Sequence, residues 1–144
     1  MTVEILNDQS RLKLSAARVR RLVRFVLSKE KAGPRSVTVR VVDDPKIRQL
    51  NRRYLGEDRP TDVIAFGAGG TLETEKNYLG DVVVSAQTAV RACRRYGATP
   101  RGEFERYVVH GVLHLLGYRD KKPKDFKRMH ERQERYLTEF GKRA

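Results

Sequence analysis

A single cysteine, Cys93, is the whole thiol content of these 144 residues, so an internal disulfide is impossible and a thiolate zinc cluster is excluded. A reducing, cytoplasmic setting fits that scarcity. Nowhere does the chain hold the ~18 consecutive apolar residues of a membrane span. Its start, Met1-Thr2-Val3-Glu4-Ile5-Leu6, lacks the basic region and apolar core of a secretory signal, so neither export nor membrane insertion is expected. Acid is scarce as well. Against 31 Lys and Arg stand 18 Asp and Glu, a net charge of +13, and such an excess predicts a polyanionic partner, nucleic acid ahead of an acidic membrane surface. The imbalance is concentrated: residues 11–35 hold nine Lys and Arg, Arg20, Arg21 and Arg24 among them, with Glu30 as the only acid.

Histidine is also rare, and two of the three lie four residues apart in His110-Gly111-Val112-Leu113-His114-Leu115-Leu116-Gly117-Tyr118-Arg119-Asp120. On an α-helix that spacing is ~400° of rotation and ~6 Å of rise, so both imidazoles leave one face and can grip one ion. Gly117 stands where a helix end wants a residue free to take positive φ; a sharp turn there brings Asp120 within reach as a third ligand. Taken alone, such a pair is more often surface or satisfied core histidine than a metal site. Context favours the metal: Phe104, Val108, Val109, Val112, Leu113, Leu115 and Leu116 make this the most apolar helix, and buried imidazoles need partners. Two histidines, a carboxylate and an open position form the pattern of a catalytic zinc site, one Zn2+ per chain. His130, in a charged helix, is the fallback third ligand. A zinc peptidase carries its general-base Glu beside the first ligand, and here that position is Gly111, so peptide hydrolysis is disfavoured.

Around this stretch the pattern reads as an α+β fold: a small mixed four-stranded sheet packed against helices, in a single domain. Strands are expected at residues 2–6, Ser36–Val42, Thr61–Phe66 and Tyr78–Ser85, the last central, with Gly80 marking a bulge or a close backbone approach. Helices are expected from Ser10 to Ala32, after Asp44 as N-cap with Pro45 at the first position, from Ala86 to Tyr96, after Thr99-Pro100, and from Pro123 to Phe140. Ile47, Leu50 and Tyr54 form the buried stripe of the second, and Phe126, Met129, Tyr136 and Leu137 anchor the last. Gly67-Ala68-Gly69-Gly70 reads as a flexible connection.

The run from His110 to Tyr118, preceded by Leu79-Gly80-Asp81-Val-Val-Val-Ser85 and by Arg59-Pro60-Thr61-Asp62-Val63-Ile64, resembles the bacterial YbeY family of rRNA maturation endoribonucleases, in the family's order and spacing over residues 36–137. The resemblance implies an α+β fold, one zinc ion, and metal-dependent cleavage of single-stranded RNA. It further implies a place at the maturing 3′ end of small-subunit ribosomal RNA, in contact with the small ribosomal subunit, and in ribosome quality control. Two positions depart from the pattern. The family's third ligand is a histidine that falls on Asp120 here, and a carboxylate leaves an ion with less Lewis acidity than a neutral imidazole. The family also favours Tyr-Arg where this chain has Tyr54-Leu55, so Arg52, Arg53 or Arg59 stands in for an RNA-handling arginine, Arg59 the best placed. Arg20 and Arg24 of the first helix are further candidates for phosphate contacts, as are Arg91, Arg94 and Arg95.

Two functions from different classes follow. One is a zinc-dependent endoribonuclease in which His110, His114 and Asp120 hold the ion and a zinc-bound water attacks, with no side-chain acid or base identified. The other is an RNA-binding ribosome-assembly factor that keeps the metal for structure alone.

Overall fold

The computed structural model describes residues 2–67 and 77–143. Its sheet has four strands, Val3–Asn7 (β1), Ser36–Val42 (β2), Val63–Gly67 (β3) and Tyr78–Ser85 (β4), in the spatial order β1-β2-β4-β3. β1 and β4 both run parallel to β2, and β3 closes the sheet antiparallel to β4, so the sheet is mixed and β4 is interior, as expected. The β-branched alternation of β2 and β4 sorts their side chains between two layers. Val37, Val39, Val41, Val82 and Val84 enter the main core, while Val42 and Val83 face the other side with Ile47 and Ile64.

Five helices cover the two faces: Ala16–Lys29 (α1), Asp44–Leu55 (α2), Ala86–Ala92 (α3), Pro100–Leu115 (α4) and Pro123–Arg143 (α5). α2 covers the smaller cluster; α1, α4 and α5 build the main core with the opposite face. α4 packs tightly on the sheet, for a reason readable in one residue. A Cβ added at Gly111 would lie 2.5 Å from Val82 Cγ1 and 3.1 Å from Val63 Cγ2, so only glycine lets the histidine helix approach this far. The position that holds a peptidase's general base has no space for a side chain. Gly80 combines a bulge with a close backbone approach. The register with β2 shifts there, and at φ +150 its added Cβ would meet the Phe66 carbonyl oxygen at 2.3 Å and Leu115 Cδ2 at 2.8 Å.

Several boundaries differ from expectation. α1 starts at Ala16, not Ser10, because the Gln9 side chain closes the preceding loop: its amide bonds Asn7 Oδ1 and the Leu12 carbonyl, and its oxygen accepts the Leu12 N–H. Leu12 and Leu14 pack on the core from that loop, and Ser15 then caps the helix by accepting the Arg18 N–H at 3.2 Å. The helix ends at Lys29, and Lys31 turns through φ 55. Asp43, not Asp44, is the N-cap of α2, by its extended backbone and without a side-chain capping bond, and the Asp44 carboxylate is engaged elsewhere. β3 begins at Val63, and the helix after β4 tightens to a 3₁₀ turn over Cys93–Tyr96. Phe126 and Tyr54, expected as buried anchors, are exposed, while Phe140 takes the core position near the end of α5. The connection read at 67–70 lies, past Gly67, outside the described residues.

Candidate metal centre

Thr99 opens α4 by accepting the Gly102 N–H at 3.0 Å, with Pro100 at the first helical position, as read from the sequence. At its other end the Tyr118 N–H reaches the Leu113 carbonyl and the Gly117 N–H reaches that of His114, both at 3.0 Å. This is a Schellman turn with Gly117 at φ +100. The reversal carries Asp120 back over the histidine face. His110 Nε2 and His114 Nε2 stand 3.0 Å apart, and Asp120 Oδ2 lies 3.4 Å from the first and 3.2 Å from the second. Among the described residues these three form the one group of His, Cys, Asp or Glu close enough to hold an ion together.

Their protonation is fixed from behind. Gln133 Oε1 lies 2.9 Å from His110 Nδ1, and the Tyr118 carbonyl 3.0 Å from His114 Nδ1. Each oxygen can only accept, so each Nδ1 carries its ring's proton and each Nε2 presents a lone pair. The Gln133 amide is itself oriented, because its Nε2 donates to Glu134 Oε2 at 2.9 Å. Two lone pairs and a carboxylate oxygen thus converge with no donor among them, an arrangement a cation completes. The spacing agrees: donors ~2.0–2.1 Å from an ion in tetrahedral geometry stand ~3.3 Å apart. Burial lowers the His110 pKa, opposed by its bond to Gln133, which keeps the ring neutral and available. All three side chains stay a quarter to a third exposed, so the group is open on one side.

Support reaches further back along two routes. Arg106 clamps Glu134 with two bonds of 2.8 and 2.9 Å and holds Glu103 at 2.8 Å. Desolvation would raise the Glu134 pKa, but the bonds from Arg106 and Gln133 outweigh it and hold the carboxyl ionised. The second route ends at Glu30, the lone acid of the basic stretch. It accepts the Tyr118 hydroxyl at 2.8 Å and also bonds the Tyr136 hydroxyl and Arg132, pinning the turn whose backbone orients His114. Burial and the Glu30 carboxylate raise the pKa of both tyrosines.

The open side faces a cleft of about 750 Å³ whose walls include Arg59, Asp62, Arg91, Arg95, His110, Asp120, His130 and Gln133. Of the arginines expected to meet RNA, Arg59 therefore stands at the site. Arg52 and Arg53 sit in the last turn of α2, outside the cleft lining. Arg20 is spent on structure, donating to the Val3 carbonyl at 3.0 Å, and Arg24 opens onto a different groove. His130 lines the cleft, stacked on Phe126 with 5.8 Å between ring centroids, and is not one of the converging donors. Three cleft arginines are held by carboxylates: Arg59 by Glu57 at 3.1 Å, Arg91 by Asp44 at 2.7 Å, and Arg106 as above. Asp44 also accepts Ser85 and Thr88 hydroxyls at 2.6 and 2.7 Å; burial alone would raise its pKa, but these bonds and Arg91 lower it.

A family model described as Endoribonuclease YbeY matches residues 4–141. The chain belongs to the YbeY family. Endoribonuclease YbeY of Chloroflexus aggregans is 37% identical over 149 aligned positions, covering 97% of this chain and 96% of its own length. That of Myxococcus xanthus is 44% identical over 109 residues, 73% of this chain but 36% of the relative. The solution structure of TM1509 from Thermotoga maritima matches with a TM-score of 0.65 at 28% identity, covering 96% of this chain and 88% of that one. The family's fold is thus present along nearly the whole chain. Sequence reading missed Gln133, Glu134 and Arg106. A signal existed for the first: Met129, Gln133, Tyr136 and Phe140 follow a helical stripe, and a glutamine among buried apolar residues requires a polar partner.

Proposed function

We propose that this chain is a zinc-dependent endoribonuclease that cleaves single-stranded RNA, with small-subunit ribosomal RNA at its maturing 3′ end as substrate, in the cytoplasm. One observation carries the reading. Three converging acceptors, His110 Nε2, His114 Nε2 and Asp120 Oδ2, open onto a cleft lined by arginines. The name shared by its curated relatives supports the same activity. An open three-donor set belongs to catalytic sites, whereas a structural metal is closed in, which favours the enzyme over an assembly factor.

A divalent ion held there supplies Lewis-acid activation of water and of a phosphoryl oxygen. The chain supplies the rest. Gln133 and the Tyr118 carbonyl hold the imidazoles in the tautomer that presents Nε2. Arg59, Arg91 and Arg95 neutralise and orient the phosphates on either side of the scissile bond. Arg95, without a carboxylate partner among the described residues, makes the strongest demand for an anion. Glu103 and Glu134 are tied to Arg106, which leaves Asp62, fixed by the Val63 N–H at 2.7 Å, as the cleft carboxylate free to accept a proton.

The test is cleavage of a single-stranded RNA by metal-loaded protein, with and without chelator. Slow, chelator-sensitive cutting that quickens in Asp120→His near neutral pH is the expected result, that substitution restoring the family's third ligand. If wild type and Asp120→His both bind metal and ribosomal subunits yet neither cuts, the assembly-factor reading replaces this one.

A further inference from the structure

The notable cations of α1 do not reach the metal cleft, and they are not dispersed either. Arg21, Arg24, Phe25 and Ser28, spaced i, i+3, i+4 and i+7 on α1, share with Phe140 and Arg143 of α5 a groove of about 480 Å³, and Lys29 stands at its edge. The two helices meet through an aromatic floor, Phe25 against Phe140 with ring centroids 5.6 Å apart. Arg143 and Lys29 stand over the Phe25 ring at 5.0 and 5.6 Å. Among the described residues no acid lines the groove. Lys29 has a loose contact with Glu139 at 3.7 Å, while Arg21, Arg24 and Arg143 have no carboxylate partner among the described residues. Four crowded cations repel one another, so the folded state tolerates here a cost that a bound anion would remove.

We infer that this groove is a second RNA-binding site, separate from the metal cleft, that grips the phosphates of the strand outside the cleavage point. The inference rests on the endoribonuclease reading for its choice of anion. Two features favour an RNA strand over an acidic peptide. The groove and the cleft share no lining residue, yet both are walled by α5: Met129, Gln133 and Glu134 line the one, Phe140 and Arg143 the other. His130 and Arg143 are thirteen residues apart, ~20 Å along a helix, a span that a few nucleotides of one strand bridge. Cations placed over an aromatic ring in a basic trough are also the equipment of sequence-tolerant single-strand binding. The size falls within the ~300–1,000 Å³ of ligand sites.

The experiment compares labelled single-stranded RNAs of about 2 nucleotides, too short to span cleft and groove together, and about 20 nucleotides by fluorescence anisotropy, in chelator so that neither is cut. The unaltered chain is set against Arg21→Ala/Arg24→Ala/Arg143→Ala. Loss of three phosphate contacts should lower the slope of log affinity against log salt by about 2, at ~0.7 per contact, and weaken the long RNA by ~10-fold or more at moderate salt. Binding of the short RNA, the circular dichroism spectrum and metal uptake should be unchanged. Equal weakening of both lengths, or of neither, overturns the proposal. So does a wild type that binds no RNA but captures polyglutamate through these arginines, which would assign the groove to an acidic protein. If long-RNA binding depends on the three arginines while no RNA is ever cut, the groove stands and only the enzyme reading falls.

Discussion

The metal cleft and the α1/α5 groove are both basic, and they are basic in opposite ways. In the cleft Arg59, Arg91 and Arg106 each lie on a carboxylate, Arg95 being the exception among the described residues, and Arg106 passes its hold through Glu134 and Gln133 to His110. In the groove Arg21, Arg24 and Arg143 have no described anionic partner. Paired charges add little net field, and where the carboxylate is largely buried, as at Asp44 and Glu134, they also fix geometry. Unpaired charges at a surface fix no geometry but supply long-range, salt-sensitive attraction. The difference teaches a division of labour in one small fold: position is set at the cleft, capture at the groove.

The sharpest break between the two regions is removal of the donors. His110→Ala/His114→Ala should take metal content from about one ion per chain to none by elemental analysis. Its affinity for a 20-nucleotide RNA in chelator should match wild type. Metal retained by the double variant would remove the cleft from the comparison altogether.

Next in size is the support behind His110. Gln133→Leu removes the acceptor of the Nδ1 proton and should lower metal affinity by ~10–100-fold in a competition titration, the usual cost of losing an outer-shell partner. An unchanged affinity would mean that the chain from Arg106 to His110 plays no part at the metal.

Gly111→Ala tests the scaffold. Its Cβ would sit 2.5 Å from Val82 Cγ1, so α4 must shift from the sheet, at a cost of ~1–3 kcal/mol visible by calorimetry as a fall of several degrees. Metal affinity should fall with it. Salt-dependent RNA capture by folded protein should not, since α4 lines no part of the groove.

The smallest effect concerns Asp44, which holds Arg91 at the cleft. Its folded pKa is lowered, so its contribution to stability is fully present above the ordinary carboxylate range and fades as pH falls through the lowered value. Asp44→Asn should therefore cost ~1–2 kcal/mol near neutral pH and less in strong acid, where wild type has lost the same contribution. A deficit that does not shrink with acid, measured by urea unfolding across pH, would show that charge is not what holds Arg91.

The comparison also separates what was legible early from what was not. Local rules sufficed for β2, β4, the Thr99-Pro100 helix start, the paired imidazoles, the Gly117 turn and Asp120 within reach of both. Periodicity, caps and a helix's 3.6-residue turn act over a few neighbouring residues, so the order of the residues determines them. The pinning of the turn after α4, the engagement of the Asp44 carboxylate and the support behind His110 required the tertiary structure. Each depends on a partner far along the chain: Glu30 on Tyr118, 88 residues away; Asp44 on Arg91, 47 away; His110 on Gln133, 23 away. Buried polar groups must be satisfied wherever a donor or acceptor happens to be brought near, and that proximity is a property of packing rather than of spacing. The sequence by itself determined that this chain has a helix carrying two imidazoles on one face and an excess of positive charge. Only the folded molecule decided which cations are bound into the centre and which remain free for a polyanion, because pairing with a carboxylate is settled by distance in space.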